Sequence, residues 1–229
     1  MGIGGLGAGT RTYVVLGDVV DSREIDDRAT FRDRFERTQR VVATDFDSAF
    51  AAGPSVLKGI DELGGVMTSL TPVYDVVITL QRRLHPHAIR IAVARGEIDF
   101  GAADGDVSRM DGEAFHRATE LLEAVDRDGL WFGLDTGTDP LDTAVADEIN
   151  LLLARRAEWT DRQRDVVAAY ERLGTQTAVA EELGVSQQSV SNVLQGATWP
   201  LVETIETRLR RTLTHYDEDT HDDSVEGDE

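Results

Sequence analysis

The 229-residue sequence contains no cysteine, and it has a single lysine, Lys58. Without cysteine there are no disulfides, no thiolate metal sites and no sulfur nucleophile. No stretch approaches the roughly 20 consecutive apolar residues that a membrane-spanning helix needs. The start, "MGIGGLGAGTR", lacks a charged lead followed by an apolar core, which argues against a secretory signal. Residues 1–11 read as a flexible lead-in, and the whole as a cytoplasmic protein without a membrane partner.

What is abundant is negative charge. The formal net charge is −20, and every cationic side chain except Lys58 is arginine. Carboxylates spread over a surface with almost no lysine are the texture of proteins from high-salt cytoplasms, which gives the expectation of a halophilic archaeal origin. At molar salt the Debye length is about 3 Å, so net charge no longer repels a polyanion beyond the first shell. The charge is uneven. "YDEDTHDDSVEGDE", from Tyr216, carries only acids and almost nothing apolar, so 215–229 is expected to be a disordered tail. Between Trp159 and Leu213 acids and arginines nearly cancel, leaving about −1.

"TYVVLGDVV" is a β-branched run that reads as a buried strand ending at Gly17-Asp18. A long amphipathic helix is expected over "DDRATFRDRFERTQRVVATDFDSAF". Two short strands, Ser55–Lys58 and Leu63–Ser69, would form a hairpin with Asp61 and Glu62 at its tip. A helix to about Leu84, a strand ending near Gly96, a helix over "DGEAFHRATELLEAVDRDG", the strand "LWFGLD" and a helix from Pro140 to about Ala157 follow. The expected fold is α+β: a βαββαβ domain of ferredoxin-like order over 12–158, with a sheet covered by helices, and then an all-α domain over 159–214.

The all-α segment has the spacing of a helix-turn-helix. Thr160 caps a helix that Gly174 ends. A short helix over Thr177–Leu183, the turn Gly184-Val185-Ser186 and a third helix, "QQSVSNVL", follow. Ala180 supplies the small residue where two helices meet, and Val185, Val190 and Val193 an apolar side. The exposed face is then Ser186, Gln187, Gln188, Ser191, Asn192 and Gln195, whose amides and hydroxyls suit hydrogen bonding to base edges. The segment resembles the recognition elements of sigma-factor region 4 and LuxR-type modules, which implies DNA as a partner. The reading helix carries no cation, so phosphate contacts are assigned to Arg208, Arg210 and Arg211. Leu201, Ile205, Leu209 and Leu213, spaced by four, form a stripe that would pack on this core or on a second subunit. A homodimer on a roughly palindromic site is expected.

"GDVVDSREIDDR", "GIDELGGV" and "RIAVARGEI" followed by "DGEAFHRATELLEA" together resemble the SatD family. The same order is similar to the nucleotidyl-cyclase fold. That resemblance implies divalent metal ligands at Asp18 and Asp61, with Glu62 beside them. Mg²⁺ is the cofactor such carboxylates suit, and a nucleotide the ligand. Where cyclases carry Asn and Arg on the catalytic helix, this sequence has His116 and Glu120, with Arg117 one turn away from the expected cation. A Glu there cannot stabilise developing phosphoryl charge. The sequence therefore implies a transcription regulator with a degenerate cyclase-like sensor or oligomerisation domain. The alternatives are a metal-dependent nucleotidyl transferase or cyclase bearing a helix-turn-helix, and a scaffold making only protein contacts.

Overall fold

The computed structural model describes residues 12–57, 61–98 and 105–222. The expected lead-in at 1–11 and Lys58, Gly59 and Ile60 of the hairpin lie outside the described residues. The chain divides into two compact units: Met1–Asn150 with Arg210–Glu229, and Leu151–Leu209.

The first unit is α+β. Strands β1 (Tyr13–Val19), β2 (Phe50–Val56), β3 (Glu62–Met67), β4 (Ile89–Arg95) and β5 (Phe132–Asp135) form one sheet in the order β2-β3-β1-β4-β5. The neighbours β2-β3, β3-β1 and β1-β4 are antiparallel, and β5 joins β4 in parallel. The first four strands alternate with α1 (Arg28–Asp45) and α2 (Val73–Leu84) in the βαββαβ order expected; α3 (Glu113–Arg127) then carries the chain to β5.

Period-2 alternation puts Val14, Leu16 and Asp18 on one face of β1. That face packs under α3: Val14, Val66, Ala94, Ala114 and Ala118 are buried together. Gly96 is what lets α3 come so close, because a Cβ there would lie 2.9 Å from the Ala114 backbone nitrogen. On the opposite face Tyr13, Val15, Ile91 and Val93 are equally buried, beneath α1 and α2, which pack on each other.

Three expectations are corrected. The first long helix stops at Asp45, and Asp47–Ala49 makes a 3₁₀ turn into β2, which begins at Phe50 rather than Ser55. Gly53, at φ 76°, and Pro54 interrupt the register of β2 without ending it; an edge strand tolerates a proline that cannot donate to a ladder. Second, the acidic tail is helical through Asp222, because α8 (Trp199–Asp222) continues past Tyr216. Residues 223–229 lie outside the described residues.

The third correction concerns the stripe on α8. Leu201 is 56% exposed, while Trp199, Val202, Glu206, Leu209, Leu213 and Tyr216 are buried. Steps of four residues drift around a 3.6-residue turn; alternating steps of three and four keep one face inward.

In the first unit, α4 (Leu141–Ala157) contributes Asp142, which is 4% exposed. Its carboxylate accepts from Thr136 N–H (2.8 Å), the Thr136 hydroxyl (2.7 Å), Thr138 N–H (2.9 Å) and the Tyr216 hydroxyl (3.1 Å). Four donors are what a buried carboxylate needs. Asn150 similarly accepts from Trp131 and Phe132 N–H and donates to Phe132 and Ala146 carbonyls.

The second unit contains α5 (Asp161–Leu173), α6 (Gln176–Leu183) and α7 (Gln187–Gly196), with the ends of α4 and α8. Each of the three helices starts at a hydroxyl cap: Thr160, in a capping box with Gln163, Thr175 and Ser186. Gly174 and Gly184 end α5 and α6 at φ 74° and 63°, the left-handed region that glycine enters without a steric cost. Val166, Val167, Val179, Val190 and Leu194 are buried. Val185 and Val193 are only half-buried, so Leu194 takes the inward position expected of Val193.

Candidate functional sites

Two places in the chain concentrate polar side chains that packing does not demand. The first is the charged end of the sheet. Asp18 stands opposite Glu62 on β3 and opposite Arg90 on β4, and residues directly opposite in antiparallel pairs share a face. Asp61 is held at the start of β3: its carbonyl accepts from Val19 N–H at 3.1 Å, and its carboxylate accepts from the Ser22 hydroxyl at 2.5 Å. Arg90 is paired with Asp126 of α3 at 2.8 Å.

Burial raises the Asp18 carboxyl above its ordinary value, and the neighbouring charges of Asp61 and Glu62 push the same way; Arg90 opposes them. Asp18, Asp61 and Glu62 are thus brought within electrostatic reach. Glu62, however, is the first residue of β3 and not a hairpin tip. Among the described residues no group of three or more His, Cys, Asp or Glu side chains is arranged to hold a metal ion. The donors are of the oxygen type that Mg²⁺ prefers, and one or two carboxylates with several waters are the number it takes. Asp18, Asp61 and Glu62 as divalent-metal ligands remain an expectation from the resemblance.

The raised Asp18 carboxyl has a consequence for stability. The folded chain holds this proton more tightly than the unfolded chain, so its contribution to stability falls as pH rises from the ordinary carboxylate value through the raised one. At neutral pH the ionised form carries the full penalty. Asp18→Asn is therefore expected to stabilise the folded chain at pH 7, by less than about 1 kcal/mol because the site is partly screened by solvent. The gain should be gone at about pH 3, below the ordinary aspartate value. Paired thermal melts at the two pH values check this; an equal or opposite effect at both would contradict it.

His116 and Glu120, which the resemblance set against a catalytic helix, lie on the exposed side of α3. The Arg117 guanidinium forks onto the Asp135 carboxylate, with Nε donating at 2.9 Å, and Glu113 lies 3.7 Å away.

The second place is the outer side of α7. Ser186, Gln187, Gln188, Asn192 and Gln195 are exposed, and Ser191 is half-exposed. Gln188 Nε2 donates to Asn192 Oδ1 at 2.9 Å, an amide pair one helical turn apart. Ser186 Oγ accepts from Ser189 N–H at 3.1 Å. Of the three arginines expected to accompany this face, Arg208 and Arg211 are exposed. Arg210 is committed elsewhere: it pairs with Asp75 at 2.8 Å and lies 5.2 Å from the centre of the Tyr74 ring.

Reading the sequence did not single out Arg90 or Asp126, because only strand register and the placement of α3 bring them to Asp18. It also passed over the amide pair, although the four-residue spacing of Gln188 and Asn192 was visible.

A mixed five-stranded sheet with a charged end, joined to a compact helical unit, defines an α+β protein of two units. The chain belongs to the SatD family, whose family model matches residues 13–205. A search of curated proteins returns no match. Solved structures with a similar fold include a bacterial light-regulated adenylyl cyclase, at 12% identity and a TM-score of 0.38, covering 55% of this chain and 75% of that one. A second structure of a bacterial light-regulated adenylyl cyclase matches at 10% identity and a TM-score of 0.40, covering 55% of this chain and 43% of that one. Among the described residues no helix is long and apolar enough to cross a membrane.

Proposed function

We propose that the protein is a DNA-binding regulator in which α6, the Gly184 turn and α7 act as a helix-turn-helix, and the sheet unit serves as a sensor or oligomerisation platform. The observation that carries this reading is the outer face of α7. Five exposed hydroxyl or amide side chains line it, above Val190 and Leu194, which anchor it inward. Such side chains offer donors and acceptors matched to base edges in a major groove wide enough for a helix. Pairing of two copies across half-sites one helical turn apart would supply enough contacts for specificity. The charge texture fits a high-salt cytoplasm, where net repulsion from DNA is screened within about 3 Å.

This reading makes affinity depend little on phosphate contacts. Each phosphate neutralised contributes about −0.9 to the slope of log K against log salt. With Arg208 as the phosphate-facing cation of the second unit, the slope should be about −1 per protomer. Fluorescence anisotropy with genomic duplex fragments over a salt series checks this. Binding with sequence preference and a shallow slope supports the proposal. A steep slope with equal affinity for every fragment would indicate non-specific polyanion binding and sink it. The enzyme alternative gains nothing from the geometry, because Arg117 is engaged by Asp135 and Glu120 is exposed.

A further inference from the structure

The amide pair on α7 goes one step beyond DNA binding, and it rests on that reading of the second unit. We infer that Asn192 reads an adenine in each half-site and that Gln188 is a positioning residue that ties the Asn192 amide to one place on the helix.

An unconstrained Asn amide can flip, presenting its oxygen or its NH₂ to either side. Here the Gln188 NH₂ donates to Asn192 Oδ1 at 2.9 Å. Turning Asn192 alone would set two NH₂ groups against each other, so the two amides turn only together, and in either arrangement Asn192 keeps an acceptor and a donor for a partner. With Gln188 donating, Oδ1 keeps a second lone pair, and Nδ2 keeps both hydrogens. An acceptor beside a donor is the complement of the adenine edge in the major groove, which offers the N6 amino group and the N7 acceptor. Guanine offers N7 and O6, both acceptors, so an amide with its NH₂ on one of them sets its oxygen against the other and is repelled. Cytosine and thymine lack the paired edge.

The surroundings favour neutral reading. Both residues are exposed and lie on the side of α7 away from the buried Val190 and Leu194. The helix carries no charged side chain from Gln187 to Gly196, so no arginine or lysine fork competes for guanine. On α6, Glu182 is held by Arg172 at 2.5 Å.

The test uses the full chain and a random duplex library, followed by anisotropy on the selected duplex. Each adenine in turn is replaced by 7-deazaadenine, which lacks the N7 acceptor, or by guanine. At one adenine per half-site, the wild type should lose affinity by about 5- to 150-fold with either replacement, the range of one bidentate base contact. Asn192→Ala should become indifferent to both replacements. Gln188→Leu should bind the selected duplex more weakly while staying sensitive to both replacements, since the Asn192 amide remains but is no longer tied. That retained sensitivity separates positioning from base contact, and circular dichroism of both variants verifies folding. If the library yields a defined site whose adenines tolerate both replacements, or if Asn192→Ala retains the preference, this inference is wrong while DNA binding stands. If the library yields no site, the reading of the second unit falls and this inference with it.

Discussion

Arg156→Ala should unfold the second unit at markedly lower denaturant, with a loss of about 3–5 kcal/mol, the cost of stranding a buried charge. Arg156, near the end of α4, donates to Glu206 of α8 at 2.7 Å and to Glu171 of α5 at 2.9 Å. Glu206 is only 2% exposed, so it has no solvent to fall back on. The guanidinium also lies 4.9 Å from the centre of the Trp159 ring and 5.5 Å from that of Trp199, where cation–π attraction adds to the pairing. Three helices of the unit thus meet on one side chain. Arg156→Lys keeps the charge but loses the planar fork, and should sit between the wild type and the alanine variant. Chemical denaturation followed by tryptophan fluorescence reads this directly, because Trp159 and Trp199 pack edge to face within the unit, 6.1 Å apart. Glu206→Gln, which removes the buried negative charge while keeping a hydrogen-bonding group, should partly rescue Arg156→Ala. An unchanged midpoint for Arg156→Ala would show that the pair is ornamental.

The second large effect belongs to Asp142. Replacing it by alanine removes the acceptor of the Thr136 and Thr138 N–H groups and of the Tyr216 hydroxyl, while the Thr136 hydroxyl keeps Thr138 Oγ1 at 3.1 Å. Each buried orphan costs about 1–3 kcal/mol, so Asp142→Ala should destabilise the first unit by several times the effect of a surface change. Tyr216→Phe removes one donor of the four and should cost about 1.5–3 kcal/mol, the range for a hydrogen bond to a charged group. The pair also has a pH signature. Burial and the negative charge of Asp142 push the Tyr216 hydroxyl well above the ordinary tyrosine range. The folded chain therefore keeps this proton after the unfolded chain has lost it. Its contribution to stability is complete below about pH 10 and declines above that value. Tyr216→Phe should flatten the alkaline decline in denaturant midpoint; a parallel decline in both proteins would contradict the assignment.

Much of this architecture was legible in the residues, for physical reasons that also explain the failures. The β-branched run ending at Asp18 and the 3.6-residue periodicity of the third helix are local signals, and strand and helix form there. The caps at Thr160 and Ser186 and the stops at Gly174 and Gly184 are local chemistry too, and they bound α5, α6 and α7. The start of β2 was missed because "DFDSAF" continues an amphipathic pattern while the chain turns at Phe46. The inward face of α8 was read only in part, Leu209 and Leu213 being buried but Leu201 exposed, because an all-aliphatic stripe was preferred to one containing Glu206. A charge at an inward position, between Val202 and Leu209, was itself the signal of a buried ion pair. Arg210 was assigned to phosphate because the pairing with Asp75 spans 135 residues, a distance that no local pattern reveals. The charged end of the sheet depends on register in the same way. Asp18, Asp61 and Glu62 could be placed near one another by strand order, but Arg90 and Asp126 could not.

The central claim is that the outer face of α7 reads DNA sequence. Selection from a random duplex library with the full chain, in parallel with a Gln187→Ala, Gln188→Ala, Asn192→Ala triple variant, tests it most directly. The account predicts an enriched, two-fold repeated motif for the wild type and none for the triple variant, with both proteins equally folded. A library that stays unenriched for the wild type across the salt series, or the same motif from both proteins, would contradict it.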